Sequence, residues 1–100
     1  MTTASQTIRR LKKSARISAS DAALAAIEEL GTYRTRRAIR ALASLMKLAD
    51  ERGHAAVDAL IAIGIDVEDE MLRCLESHDE DQAWRAQQVL STVNGAEIAA

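Results

Sequence analysis

Nine basic residues fall into two short runs, and they are the side chains of this chain best suited to binding chemistry. Arg9, Arg10, Lys12, Lys13 and Arg16 form the first, and Arg34, Arg36, Arg37 and Arg40 the second. Arg9, Lys13 and Arg16 follow i, i+4, i+7 spacing and share one helix face, as do Arg36 and Arg40. A guanidinium presents a planar fork of donors that fits carboxylate or phosphate, so the second run, all arginine, suits either. If the two leading helices lie side by side, the runs merge into one patch. The opposite charge gathers later, where Glu76, Asp79, Glu80 and Asp81 precede Trp84. Trp84 is expected to close the core of the last structural unit. Its other role would be that of an exposed anchor, since tryptophan is a favoured interface residue.

Catalytic chemistry has little to stand on. The chain has no glycine-rich phosphate loop, no Ser or Cys nucleophile with a matching His, and no His-x-x-x-His. His54 and His78 fall at predicted turns and are expected to be solvated or capping. Asp66, Glu68, Asp69 and Glu70, like Asp79-Glu80-Asp81, lack the alternating ligands and central glycine of a calcium loop. They stand where helices are predicted to begin, where negative charge offsets the positive end of the helix dipole. Cys74, the single cysteine, lies in an apolar stripe and reads as a buried structural thiol. No catalytic residue, metal, cofactor or small-molecule substrate is expected.

The elements that position these residues read as helices. Proline is absent, glycine occurs four times, and alanine, leucine and isoleucine supply the apolar stock. A sheet protein of this length would need more turn residues. Ala23, Ile27 and Gly31 repeat as Ala56, Leu60 and Gly64, and more loosely as Ala86, Leu90 and Asn94 ahead of Gly95. The glycines mark helix ends. Ile8, Leu11 and Ala15 mark a preceding helix. Ala38, Ile39, Leu42, Leu45, Met46 and Ala49 mark another, and Val67, Met71, Leu72 and Leu75 a third. Start signals are Ser20 or Asp21, Thr32, Asp66, and Asp79 with Gln82 in a capping-box pattern. The sequence predicts one all-α domain over 1–100, a short α–α solenoid of three helix–turn–helix repeats at roughly 1–31, 32–64 and 65–95.

The Ala-x-x-x-aliphatic-x-x-x-Gly helices resemble short HEAT-like repeats of the phycobilin-lyase type. The third unit, Met71-Leu72-Arg73-Cys74-Leu75 with Asp79 and Arg85, comes nearest. The resemblance implies an α–α superhelix with a concave binding surface. Metal-dependent hydroxylases of that family use His-Glu pairs, whereas here His54 precedes Ala55 and His78 precedes Asp79, so that activity is not implied. A second resemblance is to histone-fold proteins. Ile8-Arg9-Arg10-Leu11 with Arg16-Ile17-Ser18 is similar to their first helix and loop, and Glu28-Glu29-Leu30-Gly31 to the middle of their long helix. Arg52 and Asp58 stand near the place of a loop ion pair. It implies one helix from Ser20 to Arg52.

Net charge is −2, but residues 1–50 hold ten Lys/Arg against four Asp/Glu, and residues 51–100 three against eleven. Such asymmetry speaks of partners rather than of fold. The expected function is a non-enzymatic protein-interaction adaptor or assembly module with a basic N-terminal and an acidic C-terminal face. Its partner is a protein, with a second copy of the chain among the candidates. The alternative is nucleic-acid binding through the basic patch. The apolar stretch Ala59–Ile65 is too short to span a bilayer, and Met1–Lys13 lacks the apolar run of a secretory signal. A cytoplasmic location is expected.

Overall fold

All the α-helices but one begin where a short polar side chain accepts a backbone N–H that the helix itself leaves unpaired. A computed structural model describes residues 3–17 and 20–99, the last four as backbone only; Ser18 lies outside the described residues. Helix α1 spans Ala4–Ile17. Its start is a reciprocal box, in which Gln6 N–H donates to Thr3 Oγ1 and Thr3 N–H to Gln6 Oε1. Helix α2, Asp21–Leu30, is capped by Ser20, whose Oγ accepts from Ala23 N–H at 3.2 Å. Asp21 adds first-turn charge.

Helix α3 spans Arg36–Leu45 and is capped by Thr35, not by Thr32 as expected. The intervening turn takes five residues, and Arg34 adopts a left-handed φ of 50° within it. Thr32 instead donates its hydroxyl to the Glu29 carbonyl, extending the end of α2. The break at Gly31 interrupts the single Ser20–Arg52 helix that the histone-like resemblance implies. Helix α4, Glu51–Ile63, is capped by Asp50 and ends at Gly64, whose φ of 90° favours a residue without Cβ. His54 lies in its first turns and is exposed, not at a turn.

Asp66 caps no helix. A 3₁₀ turn over Ile65–Val67 leads into α5, Glu68–Cys74, whose start has no side-chain cap. Helix α6 spans Glu80–Ala99 and runs through Asn94-Gly95, where a stop was expected. No neighbouring atom lies near Gly95, and a lone glycine in an open helix costs only about 1 kcal/mol relative to alanine.

The helices lie in two rows. In one, α3 packs on α1 and on α5; in the other, α4 packs on α2 and on α6; α1–α2, α3–α4 and α5–α6 pack across. One apolar cluster runs through both rows, from Ile8 and Leu11 through Ile27, Leu42 and Leu60 to Met71 and Val89. The glycine stops Gly31 and Gly64 are 33 residues apart. The caps Ser20 and Asp50 are only 30 apart, because α2 has 10 residues and α4 has 13.

Two arginines tie the rows together at helix ends. Arg52 donates from Nη1 to the Ala15 carbonyl near the end of α1, at 3.0 Å. Arg85 donates from Nη1 to the Met46 and Leu48 carbonyls beyond α3, at 2.5 Å each. Arg52 to Ala15 and Arg85 to Leu48 span the same 37 residues. Gln82 Nε2 adds a bond to the Ala43 carbonyl at 2.9 Å. The capping box expected at Asp79 is therefore half made. Gln82 N–H donates to Asp79 Oδ1, but the Gln82 side chain turns to α3.

Candidate functional site

The first basic run stands as spaced. Ile8, Leu11 and Ala15 bury one side of α1, which leaves Arg9, Arg10, Lys13 and Arg16 exposed and Lys12 half-buried. The stems of Arg9, Lys12, Lys13 and Arg16 line a shallow depression that ends at Ile17, an isoleucine 75% exposed. Sequence reasoning missed Ile17 because a β-branched residue at a helix end looks like the last turn of the core stripe.

The second run does not simply extend the first. Arg34, Arg36, Arg37 and Arg40 are all exposed, but Arg34, Arg36 and Arg40 share a depression with Asp66, Asp69 and Glu70 at the α3–α5 contact. Glu70, largely covered, sits between Arg40 Nε at 4.0 Å and Arg73 Nε at 3.5 Å. Exposed pairs of this length add little stability, but they cancel charge that phosphate would otherwise meet.

The acidic set is also divided. Glu80 and Asp81 occupy the exposed first turn of α6, as Glu68, Asp69 and Glu70 occupy that of α5, which fits the dipole reading of both clusters. Asp79 is spent on capping, and Glu76 is exposed. Trp84 does not close the core; it is 62% exposed. The buried face of α6 is set by Gln82, Arg85, Ala86, Val89 and Val93, and the helical spacing puts Trp84 well round the helix from that stripe. It lines a groove of about 490 Å³ with Val57 and Ile61 of α4 and Gln87, Gln88, Ser91 and Thr92 of α6. Leu72 and Leu75, expected in the core stripe of α5, are 49% and 39% exposed. Val67, Met71 and Cys74 are buried, as expected.

The Arg52 partner is Asp50, not Asp58. Three guanidinium–carboxylate bonds of 2.6–3.1 Å hold the pair, and Asp50 Oδ1 also accepts the Arg52 backbone N–H. The guanidinium holds the Asp50 carboxyl down at about 2. Burial, with Glu70 nearby, pushes the Cys74 thiol up to about 11, so little thiolate forms near neutrality. His54 and His78 are both exposed. Among the described residues, no three of His, Cys, Asp and Glu converge as metal ligands, and no helix is long and apolar enough to cross a membrane. What remains for recognition is surface: a basic helix with an exposed isoleucine, an acidic helix with two exposed leucines, and a groove with an exposed tryptophan. Comparison with protein-family models, curated proteins and solved structures found no match to this chain.

Proposed function

We propose that this chain is a non-enzymatic protein-interaction module, a short α–α solenoid of three HEAT-like repeats that binds protein partners through its two oppositely charged end helices. The observation that carries this reading is the pairing of exposed apolar side chains with charge predominantly of one sign at each end, Arg73 being the exception on α5. Ile17 stands among Arg9, Lys13 and Arg16, and Leu72 and Leu75 among Glu68, Asp69 and Glu76. An apolar anchor ringed by steering charge is the usual anatomy of a protein-binding patch. The two-row packing and the near-regular caps at Ser20, Asp50 and Asp79 support the repeat reading. A cytoplasmic location belongs to the same proposal, since a lone buried thiol suits a reducing compartment.

Nucleic-acid binding is the second reading, and the exposed row Arg9, Lys13 and Arg16 favours it. Against it, the acids of α5 take up part of the α3 run, and the one tryptophan lies on α6 rather than beside the basic helix. The test is retention of partners from a native extract with and without nuclease. Protein retained after nuclease, and lost when Arg9→Glu and Lys13→Glu are introduced, supports the module. Retention that nuclease abolishes, with binding to duplex DNA whose log–log salt slope falls by about one for each phosphate contact removed, replaces it with the second reading.

A further inference from the structure

We infer that the exposed side of α5 receives α1 from a second copy of this chain, so that copies join head to tail. The inference rests on the module reading above and adds the identity of a partner. One side of α5 already meets a basic helix: Arg34, Arg36 and Arg40, from α3 and the turn before it, line one depression with Asp66, Asp69 and Glu70. Within the chain a basic helix thus already meets an acidic one at the α3–α5 contact, whereas α1 and α3 are both basic. The other side of α5 is bare. Leu72 and Leu75 are exposed there, with Glu68 one turn before Leu72 and Glu76 one turn after it.

Helix α1 carries the complement. Arg9, Lys13 and Arg16 project at i, i+4, i+7 and end at Ile17, and their stems form a shallow trough that a leucine can enter. As the first helix of its row, α1 of an incoming copy would extend α1–α3–α5 by one further member. The two surfaces differ, so the contact is heterologous and builds a ring if the rotation closes and a filament if it does not. Charge sets encounter and register, and Ile17, Leu72 and Leu75 supply the apolar contact.

The test is sedimentation equilibrium of the full chain at low and high salt. The expected result is a mass that rises with concentration above the 10.8 kDa monomer at low salt. It should return toward the monomer as the Debye length shortens from about 10 Å at 0.1 M to about 3 Å at 1 M. Two variants at exposed positions, Arg9→Glu/Lys13→Glu and Leu72→Lys/Glu76→Lys, are each expected to weaken association by at least about tenfold. An equimolar mixture is expected to regain it, because each variant supplies the end the other needs. Association unaffected by either variant, or a mixture that stays monomeric, overturns the pairing. A wild-type mass constant at 10.8 kDa across concentration and salt overturns it without reference to any variant's folding. If that monomer still retains a protein from nuclease-treated extract, self-assembly fails while the module reading stands. If it retains none, both fail.

Discussion

Gly53 stands where α4 passes the end of α3, and a Cβ there would overlap both the Leu48 carbonyl oxygen and the Arg85 guanidinium. Neither neighbour can yield cheaply. Leu48 O is backbone, and Arg85 is buried with its charge spent on the carbonyls of Met46 and Leu48. Two carbonyl acceptors beyond the negative end of α3 stabilise that buried cation in place of a carboxylate. Gly53→Ala is therefore expected to cost about 1–3 kcal/mol, as overpacking of a filled site does. Arg85→Ala, which strips the donor from two carbonyls, is expected to cost about as much as a lost charged hydrogen bond, 1.5–3 kcal/mol. Urea midpoints of the two single variants measure both losses.

Asp50 carries a pH prediction on the same scale. Its carboxyl titrates at about 2 in the folded chain, below the ordinary value of about 3.9. Its contribution to stability is thus complete above about pH 4 and is lost as pH falls toward about 2. Asp50→Asn should flatten that part of the acid-unfolding curve and leave the neutral part of its slope unchanged. An unaltered acid limb in the variant would show that the pair with Arg52 adds nothing in solution.

Among the elements, Gly64 and Gly95 make a contrast. Gly64 sits at φ 90° and ψ −145°, beyond the end of α4, where a side chain is strained even though space is free. Gly64→Ala is expected to destabilise by about 1–3 kcal/mol. Gly95 lies within α6 with nothing near it, so Gly95→Ala is expected to stabilise by up to about 1 kcal/mol. Thermal midpoints moving in opposite directions would verify both placements. The buried stripes of α1 and α3 (apart from Ala49, which lies exposed beyond α3), the Ser20 cap and the stop at Gly31 were legible in the sequence, because each depends on neighbours within a turn or two. The Thr35 start was not, since Thr32 offers the same hydroxyl three residues earlier and only the course of the turn decides between them. The exposure of Leu72 and Leu75 was hidden for a different reason. A short helix with apolar residues on two sides does not say which side faces its neighbours, and α5 has only seven residues. The reach of Arg85 and Gln82 across 37 and 39 residues leaves no mark in local pattern at all.

At the scale of the whole molecule, the long axis of 40 Å against 27 and 22 Å leaves α1 and α5 at opposite ends of one row, with α3 between them. That arrangement keeps the basic and acidic ends from neutralising each other within one chain. Among the described residues the α3–α5 contact does neutralise charge, through Arg40 and Glu70.

The bonds from α6 to the end of α3 also couple segments far apart in the chain in time. Until α6 docks, the carbonyls of Ala43, Met46 and Leu48 lack the side-chain donors that meet them in the folded chain, and the guanidinium of Arg85 lacks its seat. The middle of the chain therefore cannot reach its final order before the C-terminal helix arrives, and the units should not peel away one at a time. Native-state amide exchange tests this directly: protection at Lys47 and Leu48 should rise and fall with that at Val89, as one cooperative unit rather than as a frayed series.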